Sequence, residues 1–298
     1  MRQSKVKYLF SKIEYSLIES IDLDSANRMN VKIDVKRDDL LHPILSGNKW
    51  RKLKYLLLDI ERKGFSKVAT MGGGYSNFLH SLAYSCYTLG WSCELFVRGY
   101  DNQPITPTLR DCVKWGAKIQ FVNKKDFREM RVKSPLVTKD HFWVSEGGIG
   151  LAGILGLQEI YMELTKDYDY IVIASATGTS VAGLALAASK LGKNTKVVGI
   201  SVLNNGEQQR QNIVQLIGNM HSNWSIIEGF EVSGFAKTNE ELDKFVINFY
   251  HQHKIPLESV YSGKSFLALD KLIKQGYFEG SSKVLLIHCG GLQGKRKI

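Results

Sequence analysis

Apolar residues recur along this chain with two periods that alternate. Val31, Ile33 and Val35 are spaced by the polar residues Lys32 and Asp34, the two-residue period of a half-buried strand. From 48 to 63 the period changes. Trp50, Leu53, Leu57 and Ile60 then fall on one helical face, and Gly64 is placed to close that helix. Short apolar runs at 67–71, 93–97, 118–122, 170–174, 196–201 and 283–288 predict further strands. Segments 76–89, 107–115, 181–191, 240–251 and 264–275 predict helices, with Gly90 and Gly116 as stops. Strand, turn and helix in succession predict an α/β fold of parallel sheets with helices on both faces. Ligands in such folds sit at the carboxyl ends of strands. Chemistry is therefore expected in the loops after Met71, Ala174 and His288.

The 298 residues suffice for one large domain or two ordinary ones. Hydrophobic residues at 44% and charged residues at 23% match a globular chain rather than a disordered one. No apolar stretch approaches the roughly 18 residues of a membrane span. Met1-Arg2-Gln3-Ser4-Lys5 leads into mixed charge without an apolar signal core. Cys86, Cys93, Cys112 and Cys289 lie far apart with no Cys-x-x-Cys pair. That suits a reducing cytoplasm, and neither a disulfide scaffold nor a zinc site is expected. Forty basic residues against 29 acidic give a net charge of +11. A basic chain can bind nucleic acid, an acidic surface or an anionic small molecule. Here the positive residues are spread along the chain with no recognition helix or aromatic RNA-binding signature, so no nucleic-acid partner is expected.

Three loops carry candidate chemistry. In Ser46-Gly47-Asn48-Lys49-Trp50, Gly47 frees the backbone and Asn48 is expected to cap the following helix. Lys49 then meets the positive end of the helix dipole. That destabilises its ammonium and makes the amine a better nucleophile towards a carbonyl. An ordinary surface lysine beside Arg51, Lys52 and Lys54 is the competing reading. Met71-Gly72-Gly73-Gly74-Tyr75-Ser76-Asn77 is a strand-to-helix junction, where Ser76 and Asn77 can hold a carboxylate or phosphate, or Ser76 can simply cap the helix. Ser175-Ala176-Thr177-Gly178-Thr179-Ser180 follows a buried strand and opens an Ala- and Gly-rich helix, a set of hydroxyls and N–H groups suited to a phosphate monoester.

Three decoys fail on their surroundings. Gly148-Ile149-Gly150-Leu151-Ala152-Gly153 has the dinucleotide spacing, but the ribose-binding acid is missing from the end of the next strand. Gly263-Lys264-Ser265 has Glu258 where a phosphate loop needs its first glycine. His251 and His253 have no neighbouring ligands at metal-binding spacing, so no metal is expected.

Taken together, these segments resemble the fold-type II pyridoxal-phosphate enzymes, and among them the 1-aminocyclopropane-1-carboxylate deaminase and D-cysteine desulfhydrase group. The likeness runs from Lys36-Arg37-Asp38-Asp39 to Gly290-Gly291. It rests on Gly47-Asn48-Lys49-x-Arg51-Lys52-Leu53, Gly73-x-x-Ser76-Asn77, Gly147-Gly148-x4-Gly153-x2-Gly156, Thr177-Gly178-Thr179-Ser180-x-Ala182-Gly183, Val260-Tyr261-Ser262-Gly263-Lys264 and His288-Cys289-Gly290-Gly291. The resemblance implies two three-layer parallel-sheet domains like those of tryptophan synthase β. Residues 1–50 with 157–298 would form the larger, cofactor-binding one, and 51–156 the smaller, which closes on substrate. It also implies pyridoxal 5'-phosphate as cofactor, an amino-acid substrate, no membrane partner, and a cytoplasmic homodimer.

The resemblance implies residue roles as well. Lys49 would bond the cofactor aldehyde and move the substrate's α-proton. Ser76 and Asn77 would hold the substrate carboxylate, with Asn77 also near the cofactor's phenolic oxygen. Thr177, Gly178, Thr179 and Ser180 would grip the phosphate. Tyr261 would lie by the pyridine ring as a proton relay or nucleophile, and Ser262 would face the pyridine nitrogen. The deaminases carry Glu and Leu at the places of Ser262 and Cys289, and the desulfhydrases carry small hydroxyl residues. A Ser can only hydrogen-bond the ring nitrogen, a weaker electron sink that suits β-elimination of a good leaving group. The resemblance therefore implies D-cysteine as first substrate and the cyclopropane amino acid as second. Phe78 departs from the Gln or His usual beside Asn77, and Cys289 matches neither group.

Overall fold

Residues 4–11, 15–133, 140–232 and 237–296 are described in the computed structural model. The first third of the chain forms α1 (Lys5–Ser11), β1 (Ile18–Ile21), α2 (Asp24–Arg28), β2 (Lys32–Lys36), α3 (Asn48–Arg62), β3 (Lys67–Gly73), α4 (Asn77–Leu89) and β4 (Ser92–Arg98). The middle forms α5 (Pro107–Lys114), β5 (Lys118–Val122), α6 (Lys124–Val132), β6 (Phe142–Val144), α7 (Leu151–Gln158), β7 (Tyr170–Ser175) and α8 (Thr179–Lys190). The remainder forms β8 (Lys196–Ser201), α9 (Gly206–Ile217), β9 (Trp224–Ile227), α10 (Glu240–His253), α11 (Ser262–Lys274) and β10 (Lys283–Ile287).

Two sheets result. One has the order β1-β2-β10-β7-β8-β9 and the other β5-β4-β3-β6. Every pairing is parallel except β1 with β2, an antiparallel edge that the succession of strands and helices did not predict. The larger sheet has a core on each face. One core centres on β2, β10, α10 and α11, and the other on α7 and α8. A third core joins α1, α3, α4 and α5 to the smaller sheet. Helix α1 buries Val6, Leu9 and Phe10 in this core by packing on α3 and α4.

The half-buried strand expected at 31–36 is buried on both sides, because helices cover both faces of a mostly parallel sheet. Its polar residues are consequently paired. Asp34 accepts hydrogen bonds from Ser20 at 2.6 Å and Tyr168 at 2.7 Å, and pairs with Lys166. Lys36 is fully buried with its Nζ 2.5 Å from Glu163. Arg51 of α3 joins the same group with two bonds to Asp38 at 2.7 and 2.8 Å and two to Glu163 at 2.6 and 2.9 Å. This network anchors the first turns of α3 to the end of β2. Burial raises the Asp38 carboxyl, but the charges of Arg51 and Lys36 outweigh it and hold Asp38 below the ordinary carboxylate range.

Candidate functional site

The start of α3 lies directly against the end of β10. Gly47 has φ 68°, and a Cβ there would sit 1.8 Å from the carbonyl oxygen of Cys289, so only glycine permits the approach. Gly47, not Asn48, holds the N-cap position of α3. The Asn48 side chain is instead committed to a bridge. Its Nδ2 donates to Ser180 Oγ at 2.9 Å, and its Oδ1 accepts from Lys49 Nζ. One amide and its two hydrogen bonds thus span from the lysine amine to the loop that opens α8.

Around this bridge lies a cavity of 660 Å³ at the carboxyl ends of β3, β7 and β10. Its wall brings together Lys49, Ser76, Asn77, Phe78, Thr177, Gly178, Ser180, Tyr261 and Cys289, from segments up to 240 positions apart. Ser76 both faces the cavity and caps α4, its Oγ accepting from Leu79 N–H at 3.3 Å. Buried Asn77 accepts at Oδ1 from Gln293 Nε2 at 2.5 Å. Phe78 is buried and packs on Gly148, where a Cβ would come within 2.6 Å of its ring.

Two expected residues do not reach the wall. The Thr179 side chain is fully buried behind it, with Oγ1 3.2 Å from Thr177 Oγ1. Ser262 is fully buried as well. Its Oγ accepts from Glu258 N–H at 2.9 Å and donates to Glu258 Oε1 at 3.1 Å, so Glu258 rather than the cavity engages the hydroxyl. The Glu258 carboxylate also accepts from the N–H groups of Val260, Tyr261 and Ser262 at 2.6, 2.8 and 2.6 Å. The P-loop-like Lys264 is structural, its Nζ donating to the Glu231 carbonyl at 2.7 Å.

Burial dominates the electrostatics. It pushes the Lys49 amine below its ordinary value, opposed by Cys289 and Glu258. Lys52 is 3% exposed, and burial together with the charge of Lys49 brings it down to about 7. Burial raises the Cys289 thiol to about 11 and the Tyr261 phenol further, so both remain protonated at neutral pH. Burial also pushes the Glu258 carboxyl up, against the pull of its N–H donors.

From sequence, Lys52 was only a neighbour of Lys49 and a member of the Gly47-to-Leu53 motif, with no role of its own. Three positions along one helix, however, put the two lysines on the same face, and both line the cavity. Lys52 Nζ donates to the Gly147 carbonyl at 3.2 Å, and a Cβ on Gly147 would come within 2.9 Å of Thr177 Cγ2. Lys52 therefore stands opposite the hydroxyl loop. Ser175 also lines the cavity, and its buried Oγ has no hydrogen-bond partner among the described residues. The Asn205 and Asn212 side chains hold the carbonyls of Ala176 and Thr177 at 3.0 and 3.1 Å. These braces had no sequence signal, because they depend on α9 packing behind the loop.

The pattern of the pyridoxal-phosphate dependent enzymes matches residues 17–290. The chain belongs to that family. A Pyrococcus horikoshii protein provisionally named 1-aminocyclopropane-1-carboxylate deaminase is 28% identical over 285 residues, covering 90% of this chain and 87% of its own length. The 1-aminocyclopropane-1-carboxylate deaminase of a Bradyrhizobium strain is 25% identical over 297 residues, covering 88% and 86%. The crystal structure of a homologue of that deaminase superposes with a TM-score of 0.78 at 25% identity, over 98% of this chain and 96% of the other. This enzyme thus has the fold-type II architecture and uses pyridoxal phosphate.

The cavity fits that cofactor. It offers an unpaired buried hydroxyl at Ser175, the hydroxyls of Thr177 and Ser180, and the first-turn N–H groups of α8, which have no partner within the helix. Lys52 supplies charge beside them, and Lys49 lies one amide away. Among the described residues no helix is long and apolar enough to cross a membrane, and all four cysteines are free and buried.

Proposed function

We propose that this enzyme eliminates the β-substituent of a small amino acid, converting it with water to a keto acid and ammonia. D-cysteine, giving pyruvate, sulfide and ammonia, is the first substrate. The observation that carries the reading is the Asn48 bridge between Lys49 and Ser180 inside one cavity. A lysine below its ordinary basicity, one amide from an anion-binding loop, suits a cofactor that has an aldehyde at one end and a phosphate at the other.

The bound cofactor supplies a carbonyl for an amine and a ring that accepts the electrons released at the α-carbon. Lys49 would hold the aldehyde and, once the substrate amine takes its place, its freed Nζ would take the α-proton. Ser175, Thr177, Gly178, Thr179 and Ser180 hold the phosphate end, Thr179 from behind through Thr177, and Lys52 offsets the phosphate charge. Ser76 and Asn77 bind the substrate carboxylate, and closure of the 51–156 unit that carries them excludes water. Tyr261, its proton retained by burial, donates to the leaving group. Cys289 stays neutral beside Lys49. Ser262 donates its hydroxyl proton to Glu258 behind the cavity wall and so has none to offer the ring nitrogen. A cytoplasmic homodimer completes the reading. Leu151 and Leu155, one turn apart on α7 and 72% and 46% exposed, are the apolar surface that a second copy would cover.

The names carried by the relatives favour a second reading, in which the cyclopropane amino acid gives 2-oxobutyrate and ammonia. Incubation with each substrate and identification of the keto acid separates the two. Pyruvate from D-cysteine supports the first, and 2-oxobutyrate alone supports the second. No keto acid from either, while the protein retains the cofactor, ends both.

A further inference from the structure

Helix α6 turns an unusual face towards this cavity. Lys124, Phe127, Arg128 and Arg131 are spaced i, i+3, i+4 and i+7, so they share one face, and all four line the cavity. That spacing normally marks the apolar face of a helix. Here only Phe127 is buried, and the other three positions are cations. The acidic residues of α6, Asp126 and Glu129, are not on the cavity wall. Arg98, at the end of β4, adds a fourth cation to the wall.

One carboxylate answers them. Glu146 receives Arg131 through bonds of 2.5 and 3.0 Å. The side chains of Arg98, Lys124 and Arg128 make no ion pair or hydrogen bond among the described residues. With Lys49 and Lys52, the cavity wall carries six basic side chains and one acidic one. A bound phosphate monoester brings about −2, and an α-carboxylate brings one more negative charge. The excess of positive charge at the mouth then remains. The volume of 660 Å³ is in the range of about 300–1,000 Å³ that holds drug-sized ligands.

Resting on the β-elimination proposed above, we infer that the site prefers, over D-cysteine, an amino acid whose side chain carries a second, distal anionic group. Arg98, Lys124 and Arg128 receive that group, and these residues set specificity. The shared chemistry is a side-chain anion, whether carboxylate, sulfonate or phosphate. The neutral β-substituent of cysteine leaves these three cations without a partner.

The test is equilibrium binding to the holoenzyme, read from the change in the cofactor's visible absorption. Both enantiomers of four amino acids are titrated: alanine, aspartate, cysteate and O-phosphoserine. The readout is the ratio of affinities, charged over alanine, so a general weakening of binding does not mimic the effect. At least one charged member is expected to bind ten-fold or more tightly than alanine, and which one does so identifies the anion. The ratio should shrink towards one between 50 and 500 mM salt. It should also collapse in the triple variant R98A/K124A/R128A, and persist in Lys125→Ala, outside the cavity wall. Should the triple variant not fold, the salt series decides. Equal affinities for alanine and every charged member would overturn the inference and leave the proposed reaction standing. So would a preference insensitive to salt and to the triple variant. If none of these amino acids perturbs the absorption while the cofactor stays bound, the inference fails; if D-cysteine titrated beside them does not perturb it either, the proposed reaction fails as well.

Discussion

Behind α3, the charges of Lys36, Asp38, Arg51 and Glu163 close on one another, each buried and each with a partner of opposite sign. At the cavity, Lys49, Lys52, Arg98, Lys124 and Arg128 meet no carboxylate in an ion pair among the described residues. The basic members of both groups are ordinary Lys and Arg residues, Lys36 and Arg51 in the first, and residue type does not tell them apart. Pairing does. A buried charge with its partner in place serves the fold, because removing one member strands the other. Charge that faces a cavity without a partner awaits a ligand that carries the opposite sign.

That contrast can be broken at several points. The largest effect is expected at Lys49. Lys49→Ala should abolish the visible absorption of the lysine-bonded cofactor and slow turnover at least ~10³-fold, about 4 kcal/mol in barrier, with the denaturation midpoint unchanged. A variant that purifies yellow and still releases keto acid would remove Lys49 from the chemistry.

Glu163→Ala should do the reverse. It leaves Lys36 and Arg51 buried with one carboxylate between them, and should cost about 3–5 kcal/mol in denaturant unfolding. The network also predicts a pH window. Asp38 is held below its ordinary value, so the stability it contributes is present above about pH 4 and is lost as pH falls through its lowered value. Urea midpoints measured downward from pH 5 should fall, and should fall less in Asp38→Asn.

Lys52 separates the two groups more finely, since it is buried yet faces the cavity. It is protonated below about 7 and neutral above. Sulfate, which stays a dianion across this range, should bind the cofactor-free protein most tightly at pH 6. Its affinity should weaken by up to about ten-fold per pH unit above 7, and the profile should be flatter in Lys52→Met. The smallest effect is expected at Ser76. Its cap on α4 is a single 3.3 Å bond, so Ser76→Ala should cost about 1 kcal/mol of stability while raising the KM of the amino-acid substrate.

The strands from Lys67 to Val122, and β7, β8 and β10, were legible because their apolar runs are bounded by glycine or polar turns, whereas the four-residue β9 was not. Helix α7 was not legible as a helix, since Leu151-Ala152-Gly153-Ile154-Leu155-Gly156-Leu157 is apolar with no polar face to set a period. Strand β2 was legible, but its burial was not, because Asp34 and Lys36 look like solvent-facing residues until Tyr168 and Glu163 arrive from 130 positions away. The hydroxyl loop and Lys49 stood out by composition and position. Lys52 required only the helical period, whereas Glu258 and the Asn48 bridge required the fold.

The sequence alone determined which residue types lay at the carboxyl ends of which strands, because local periodicity and small-residue turns are written in near neighbours. The tertiary structure decided which of them share a cavity and which are spent on one another. Ser262 was claimed by Glu258, and Asn48 by Lys49 and Ser180. Hydrogen-bond partners are chosen by distance in space, and in this chain those distances are set by packing between residues far apart along it.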